Sequence, residues 1–298
     1  FKQKTAYEIP KRDWSSDVCS SDLVLISGNI KSKNLSYHGR YSLHFNARMM
    51  AEHLKNVAVG RGVKRIDSEM ISIETDDNGY ITSLKLKNNQ ELKADFVFDC
   101  SGFKRLIVGN FYKAEWKSYK KHLPVNKAQP FFIEFNENDP IPPYTESIAM
   151  KYGWAWKIPV KGRFGCGYVF DSNIVSVDQI KEEITNDFGT NLKFGNPFTF
   201  EAGTYTTPWV KNCLSIGLSS GFIEPLEATS IWISVFGYLS KMSRYISGVV
   251  HRDELSIKMF NKSALHETES VMNFIYFHYI TKRKDTEFWS KFSENKDR

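Results

Sequence analysis

A short strand, a glycine-containing link and a helix are predicted in succession over residues 212–245, and this succession constrains the fold most. Residues 212–216 are predicted as a strand, and Thr229 or Ser230 begins a long helix that extends to about Tyr245. Gly217 and Gly221 in the link allow the backbone to approach a flat ligand closely. The unpaired N–H groups and positive dipole end at the helix start favour an anion. The segment therefore predicts a ligand site at a strand-to-helix junction.

An amphipathic helix and three strands are predicted upstream of this junction. Apolar residues recur at helical spacing over residues 45–59, and the Gly60-to-Gly62 stretch ends that helix. A strand follows from Met70, Asn78-Gly79 forms a hairpin turn, and a second strand spans 80–86. A third strand, in LKADFVFDCSG at residues 92–102, becomes continuously apolar at Phe96-Val97-Phe98 and ends in an Asp-x-Ser-Gly sequence. This order is typical of the second part of a flavoprotein with two dinucleotide-binding units.

Two tryptophans lie at alternate positions of a further predicted strand over residues 153–159. Side chains at such positions project to the same face of a sheet, so Trp154 and Trp156 are predicted to form a flat aromatic wall. Core packing between a sheet and a helix is the alternative explanation for a Trp-x-Trp pair. The next strand, residues 162–170, contains glycines at positions where another group approaches closely.

Composition excludes several functional classes. A net charge of +6, from 40 basic and 34 acidic residues, contains no long run of like charges that would indicate nucleic-acid binding. No apolar stretch reaches the ~18 residues of a membrane span. Apart from Cys19, the cysteines are Cys100, Cys166 and Cys213, which form no Cys-x-x-Cys pair and indicate neither zinc nor a disulfide framework. We expect no metal, no nucleic acid and no membrane, and a cytoplasmic location.

The first 23 residues are expected to be foreign to the native protein. Two parts of this stretch match the translation of a sequencing-library adapter, separated by a gap of the length of an index. We therefore expect residues 1–23 to be an artefact of a metagenomic read, and residues 24–298 to be a partial domain.

Four motifs together resemble the flavin-dependent tryptophan halogenases. They are DCSGF at 99–103, GWAWKIP at 153–159, GLSSGFIEPLEATSI at 217–231 and HYITKRKDTEFW at 278–289. The resemblance spans about residues 41–289. It implies a truncated α/β fold of the FAD-dependent monooxygenase kind, with a mixed sheet and long helices. The N-terminal GxGxxG unit and the C-terminal substrate cap of the family are not recognisable in residues 24–298.

The resemblance also implies roles for individual residues. Trp154 and Trp156 would separate the flavin from the substrate. Glu227 would face the aromatic substrate, stabilise the positive charge on its ring and accept the departing proton. The remaining positions are those of flavin contacts and of halide-binding backbone amides: Met70, Leu218 and Ile231 for the flavin, and Thr229 and Ser230 for the halide.

The residues themselves leave alternatives open for the two glutamates. A carboxylate in an apolar, glycine-rich stretch is costly to bury without partners or a task, which favours a functional Glu227. A helix-capping Glu227 is the alternative. Glu224 is expected to be structural and to cap backbone amides.

The chemistry implied by the resemblance is halogenation of an electron-rich aromatic, with tryptophan or another indole expected. Reduced FAD from a separate flavin reductase, oxygen and chloride or bromide would yield hypohalous acid, and a homodimer is left open. Ala228 and Ser230 replace the Ser and Gly usual in the family, which leaves the halide preference open. The alternatives are a flavin-dependent aromatic monooxygenase or reductase of related fold, and an inactive fragment.

Overall fold

The computed structural model describes residues 44–134, 142, 144–160 and 162–293. The predicted artefact at 1–23 lies outside these residues. The first element is helix α1, Ala47–Gly60, which confirms the helix predicted at 45–59. It begins after Asn46, whose side chain accepts hydrogen bonds from the backbone N–H groups of Arg48 and Met49.

A small antiparallel sheet follows α1. Its strands are β1 (Met70–Thr75), β2 (Ile81–Leu86) and β3 (Glu91–Lys93), in the order β1-β2-β3. Gly79 adopts φ 79° in the predicted turn between the first two strands, a conformation that favours glycine. The third predicted strand is wrong in one respect, since it is divided into β3 and a separate β4, Val97–Asp99. Burial along β4 also differs from that of the continuously buried strand that was predicted, because Val97 and Asp99 are buried whereas Phe98 is exposed.

The Asp-x-Ser-Gly sequence after β4 is organised by the Asp99 carboxylate. Asp99 accepts hydrogen bonds from the backbone N–H groups of Ser101, Ile107 and Val108, and from the Ser101 hydroxyl. The amides of Ile107 and Val108 belong to the first turn of a π-helix at Leu106–Phe111, where backbone N–H groups lack partners within the helix. Asp99 therefore serves as the cap of this turn, and β5, Trp116–Ser118, follows.

The largest sheet is antiparallel and contains the predicted tryptophan strand. Its strands are β6 (Lys127–Glu134), β7 (Glu146–Met150), β8 (Gly153–Val160), β9 (Arg163–Phe170), β10 (Leu192–Phe194) and β11 (Phe198–Thr199). The order is β10-β6-β9-β8-β7, with β11 also paired to β6. Helix α2, Val177–Phe188, begins with a capping box formed by Ser176 and Gln179. It packs Ile180 and Ile184 against one face of the sheet.

The remaining elements surround the predicted junction. They are β12 (Gly203–Tyr205), β13 (Trp209–Val210), β14 (Cys213–Ser215), β15 (Gly221–Phe222), α3 (Thr229–Trp232), α4 (Ile246–Val250), α5 (Glu254–Tyr279) and α6 (Glu287–Ser293). β15, β12 and β5 form one sheet, and β13, β14 and β4 form another in which β14 and β4 run parallel. The fold is therefore mixed α/β, as predicted.

The helix predicted over residues 229–245 begins where expected but is not one continuous α-helix. After the four residues of α3 the chain forms a π-helix at Ile233–Leu239, then a 3-10 turn at Met242–Tyr245 before α4. The hydroxyls of Ser234 and Ser240 donate to the backbone oxygens of Ser230 and Phe236, each four residues earlier. Such bonds compete with the helical ladder and bend helices.

The face of the large sheet opposite α2 packs against α5 and α6. The buried positions at the end of α5 are Met272, Ile275 and Tyr279, whereas Phe274 and Phe277 are exposed. The apolar run FIYFHY at residues 274–279 predicts a buried helix face formed by Phe274, Phe277 and His278. That prediction is wrong, because these side chains lie on the exposed side of α5. No helix in the described part of the chain is both long and apolar enough to cross a membrane.

Candidate functional site

The predicted strand-to-helix junction connects β14 to α3 through two 3-10 turns. The first turn, Gly217–Ser219, places Gly217 at φ 67°, and the second, Leu226–Ala228, leads directly into α3. Ser219 fixes the first turn because its hydroxyl donates to the backbone oxygen of Ile216 at 2.7 Å and to that of Asp99. Gly217, Ser230 and Ser234 line one small cavity, so the glycine turn and the helix start lie side by side.

Thr229 and Ser230 are the first two residues of α3. Their backbone N–H groups have no acceptor within the helix, because the first turn of any helix leaves its amides unpaired. Thr229 is buried, and its hydroxyl lies 3.4 Å from the backbone oxygen of Leu226. Ser230 is half-buried. The predicted anion-binding geometry is thus present in outline, whereas halide binding itself stays a prediction.

Glu227 and Ala228 both adopt the left-handed backbone conformation, with φ of 58° and 52°. This conformation is unfavourable for residues with a Cβ and occurs often at functional sites. Glu227 is exposed, and its carboxylate makes no hydrogen bond or ion pair within the described residues. The expectation that Glu227 is the costly buried carboxylate was therefore wrong. The chain turns sharply at these two residues, so Glu227 lies at the surface immediately before α3 begins.

Glu224 is the carboxyl group that is fully buried. Its Oε2 accepts a hydrogen bond from the Trp154 indole N–H at 2.9 Å and another from the Tyr279 hydroxyl. Its partners are side chains, so the expectation that it caps backbone amides was also wrong. Burial raises the pKa of Glu224 to about 7, although the bonds from Tyr279 and Trp154 oppose the shift.

Trp154 and Trp156 lie on the same face of β8, as predicted from their spacing. Their ring centroids are 6.1 Å apart, but the planes are inclined by 59°, so the predicted flat wall is wrong in that detail. The inclination follows from different neighbours. The Trp154 indole is held by Glu224, whereas the Trp156 ring lies over Gly167 of β9, where a Cβ would be 2.1 Å from it. We refer to Trp154 and Trp156 as the tryptophan wall.

The three predicted flavin contacts do not all occupy the junction. Leu218 lies in the first 3-10 turn and Ile231 in α3, and both are exposed apolar side chains. Met70 packs elsewhere, against the core cluster of Ile81 and Val97. The suggested roles of all three residues stay predictions. No group of His, Cys, Asp or Glu side chains in the described residues is arranged to hold a metal ion.

Sequence reasoning missed Tyr279. Its neighbour His278 is exposed, and its Nδ1 forms a hydrogen bond with the backbone oxygen of Phe274 at 2.9 Å. Tyr279 instead stacks on Phe292 of α6, with ring centroids 4.7 Å apart, and donates to Glu224. The available signal was its spacing from Met272 and Ile275, which places it on one helix face with two apolar residues.

Comparison with known proteins gives a consistent result. The sequence model of the family described as tryptophan halogenase matches residues 12–297. Tryptophan 6-halogenase ThaL of Streptomyces albogriseolus is 31% identical over 281 residues, covering 92% of this chain and 52% of that protein.

Solved structures agree with the sequence matches. The flavin-dependent halogenase BrvH from Brevundimonas sp. BAL3 has a TM-score of 0.77 at 33% identity, covering 83% of this chain and 51% of that one. Tryptophan 6-halogenase SttH of Streptomyces toxytricini has a TM-score of 0.80 at 28% identity, covering 84% and 49%. The chain spans about half the length of the curated relatives that it matches. On its sequence match, its fold and the motifs that form this junction, the chain belongs to the tryptophan halogenase family.

Proposed function

We propose that the complete protein halogenates an electron-rich aromatic compound, tryptophan or another indole, using reduced FAD, oxygen and chloride or bromide. The observation that carries this proposal is the continuity of residues 224–230. This short segment contacts Trp154 of the tryptophan wall through Glu224. It then turns sharply at the exposed Glu227 and ends at the first turn of α3, whose amides have no acceptor within the helix. This continuity supports the proposal, because Glu227 and the first backbone amides of α3 lie within a few residues of each other.

The junction suits a flat cofactor. Gly217 adopts a positive φ, and Leu218 and Ile231 add exposed apolar surface to the same junction. Met70 is the weaker candidate because it lies in another cluster. Bound reduced FAD, supplied by a separate reductase, would provide the electrons for oxygen to oxidise halide to hypohalous acid. The chain's own contribution is to present backbone and apolar side chains to the ring.

Thr229 and Ser230 would hold the halide through their backbone N–H groups. The α3 start adds the positive end of the helix dipole, which favours a negative charge by about 0.3–1 kcal/mol at a surface site. Ser230 also carries a hydroxyl near this position, where the family resemblance implies glycine. We infer that this hydroxyl affects the preference between chloride and bromide.

Glu227 would act on the substrate after the halogenating agent has formed. Addition of an electrophilic halogen places positive charge on the aromatic ring, and a fixed carboxylate beside it lowers the energy of that state. The same carboxylate can accept the proton that leaves the ring. Its exposure in this chain is compatible with direct contact to a ligand.

The tryptophan wall would keep the substrate away from the flavin, so that halogen and not oxygen reaches the ring. Relatives named tryptophan 6-halogenase and tryptophan 7-halogenase support an indole substrate. The ring position that is halogenated depends on how the substrate is oriented in the site, and the names of these relatives give two different positions, 6 and 7.

The test expresses the complete gene and supplies a flavin reductase, FAD, oxygen, bromide and tryptophan or indole. We expect a brominated product by mass spectrometry, and no product when bromide is replaced by nitrate. A hydroxylated product that is independent of halide would instead assign the protein to the aromatic monooxygenases. Absence of any product across a panel of indoles and phenols would reject the proposed function.

A further inference from the structure

Glu224 joins three elements that are distant in sequence. It lies between β15 and α3, and its Oε2 accepts hydrogen bonds from Trp154 of β8 and Tyr279 of α5. All three side chains are buried, and Trp154 and Tyr279 belong to one apolar cluster that also contains Leu226 and Met272. A single carboxyl oxygen therefore connects the tryptophan wall to the end of the longest helix.

The second oxygen of Glu224, Oε1, is buried and has no hydrogen-bond partner within the described residues. No lysine or arginine of the described chain pairs with this carboxyl group. The titratable group that faces it is Tyr279 from α5, and β8 contributes the indole of Trp154, which does not ionise. From α6, Phe288 and Trp289 complete an apolar surrounding.

An ionised carboxylate in this position would be an uncompensated buried charge, which costs far more than a buried neutral group. A protonated carboxyl group keeps Oε2 as an acceptor for Trp154 and Tyr279 and carries its proton on Oε1. That arrangement leaves one neutral donor unpaired, at a cost of about 1–3 kcal/mol. The geometry therefore favours the uncharged acid.

We propose that Glu224 is a positioning residue: an uncharged carboxylic acid that fixes the Trp154 indole within the tryptophan wall and ties it to Tyr279. The part of this proposal that concerns halogenation rests on the proposed function. A wall held at one edge by Glu224 and at the other by the fit of Trp156 over Gly167 has both rings fixed. Loss of the Glu224 contact would free the Trp154 ring to turn and open the wall.

Three variants separate positioning from simple folding. Glu224→Gln retains an oxygen that accepts from Trp154 and Tyr279 but cannot ionise. Glu224→Leu retains bulk and removes the acceptor. Glu183→Gln is the matched control, because Glu183 also accepts from a buried tyrosine, Tyr168, at 3.1 Å but on the opposite face of the sheet.

The first measurement is fluorine NMR of the 298-residue chain labelled with 5-fluorotryptophan. Seven tryptophans give seven signals, and Trp154→Phe identifies the relevant one. We expect the Trp154 signal to titrate with a midpoint near 7, to lose this titration in Glu224→Gln and to keep it in Glu183→Gln. A Trp154 signal that is independent of pH in the wild type, or titrates equally in Glu224→Gln, would overturn the proposal. The NMR test does not depend on the folding of Glu224→Leu, because it compares only the wild type, Glu224→Gln and Glu183→Gln.

The second measurement uses the complete protein and compares halogenated indole with hypohalous acid captured by monochlorodimedone. Misplacement of a positioning group by ~1 Å can cost on the order of 10²-fold, so we expect Glu224→Leu to lower product relative to hypohalous acid at least tenfold. Glu224→Gln should restore the wild-type ratio. An unchanged ratio in Glu224→Leu would overturn the functional part. Absence of halogenation with the expected NMR titration would reject the proposed function and leave the structural role of Glu224 standing.

Discussion

Two adjoining parts of the junction differ sharply in their surroundings. In residues 219–226, Ser219 and Glu224 have no exposed surface, and Ile223 is 2% exposed. In residues 227–236, by contrast, Thr229 is buried, but Ile231 and Phe236 are 55% and 58% exposed. The boundary between the two parts falls at the left-handed turn of Glu227 and Ala228.

The two parts of the junction therefore differ in what they can contact. The buried part is completed by the sheet and by α5, so its glutamate can hold Trp154 and Tyr279 without competition from water. The exposed part presents Glu227 and apolar side chains such as Ile231 and Phe236, and exposed apolar surface of this kind marks places where ligands or other proteins bind. The turn therefore separates a buried carboxyl group, Glu224, from an exposed one, Glu227, and the proposed roles of the two differ accordingly.

The largest effect is expected for Glu227→Gln in the complete protein. If Glu227 stabilises charge on the substrate ring, the substitution keeps the shape and removes the charge, and halogenation should fall by roughly 10²–10³-fold. Formation of hypohalous acid should continue near the wild-type rate, because it precedes the step at Glu227. Product and captured hypohalous acid are measured in the same reaction.

Glu182→Gln is a suitable control, since Glu182 is exposed on α2 and remote from the junction. Equal losses of product and hypohalous acid in Glu227→Gln would place Glu227 at the halide or flavin step. Wild-type values for both would show that Glu227 has no part in the reaction, and would remove the functional distinction between the two glutamates.

The next effect concerns Glu224 and the pH dependence of stability. Its pKa is raised from 4.5 to about 7 in the folded chain, so the folded state binds the proton more tightly than the unfolded state. This contribution is fully present below pH 4.5 and is lost as the pH rises to about 7. Glu224→Gln removes that dependence. Relative to wild type, it should gain about 3 kcal/mol in free energy of unfolding between pH 4.5 and pH 8.

Urea unfolding at several pH values measures this difference directly. Comparison with Glu224→Gln cancels the contributions of other titrating groups, which the two proteins share. A difference between the two proteins that is constant with pH would show that folding does not raise the pKa of Glu224, and would contradict an uncharged Glu224 in the folded chain.

A smaller effect tests the fit of the tryptophan wall on the sheet. Gly167→Ala places a Cβ 2.1 Å from the Trp156 ring, so the ring must move. Overpacking of this kind typically costs about 1–3 kcal/mol. Gly165→Ala, two residues earlier in β9, is the matched control. A Cβ at Gly165 would be 4.0 Å from its nearest neighbour, the backbone oxygen of Ile158. Similar denaturation midpoints for the two variants would contradict the close fit of Trp156.

The sequence predicted elements whose signals are local. The hairpin at Asn78-Gly79, the start of α3 at Thr229 and the shared face of Trp154 and Trp156 all follow from periodicity or turn chemistry, and all are confirmed. The family, its fold and the position of the junction followed from motifs whose spacing is unusual. These features need no knowledge of what packs against them.

The burial of the two glutamates could not be predicted in the same way. Which one is buried depends on Tyr279, which is 55 residues away in sequence from Glu224, and on a left-handed turn without glycine at Glu227 and Ala228. The wrong prediction of the buried face of α5 has a similar origin. Phe274 and Phe277 are as apolar as the α5 residues that pack against the sheet, so their apolar character does not distinguish the two faces. Tertiary contacts decide these cases, and apolar character alone does not.

The smallest expected effect concerns the turn that separates the two parts. Ala228 adopts φ 52° and ψ 28°, where a Cβ costs roughly 1–2 kcal/mol and glycine costs nothing. Glycine also loses about 0.5–1 kcal/mol through the greater freedom of the unfolded chain, so Ala228→Gly should raise the free energy of unfolding by about 0–1.5 kcal/mol. Ala264→Gly, within α5, should instead lower it by about 1 kcal/mol or more, because the helix gains nothing from glycine there. Urea denaturation of both variants beside the wild type measures the two shifts. Destabilisation by Ala228→Gly equal to that of Ala264→Gly would show that the turn carries no strain, and the sharp boundary between the buried and exposed glutamates would then need another cause.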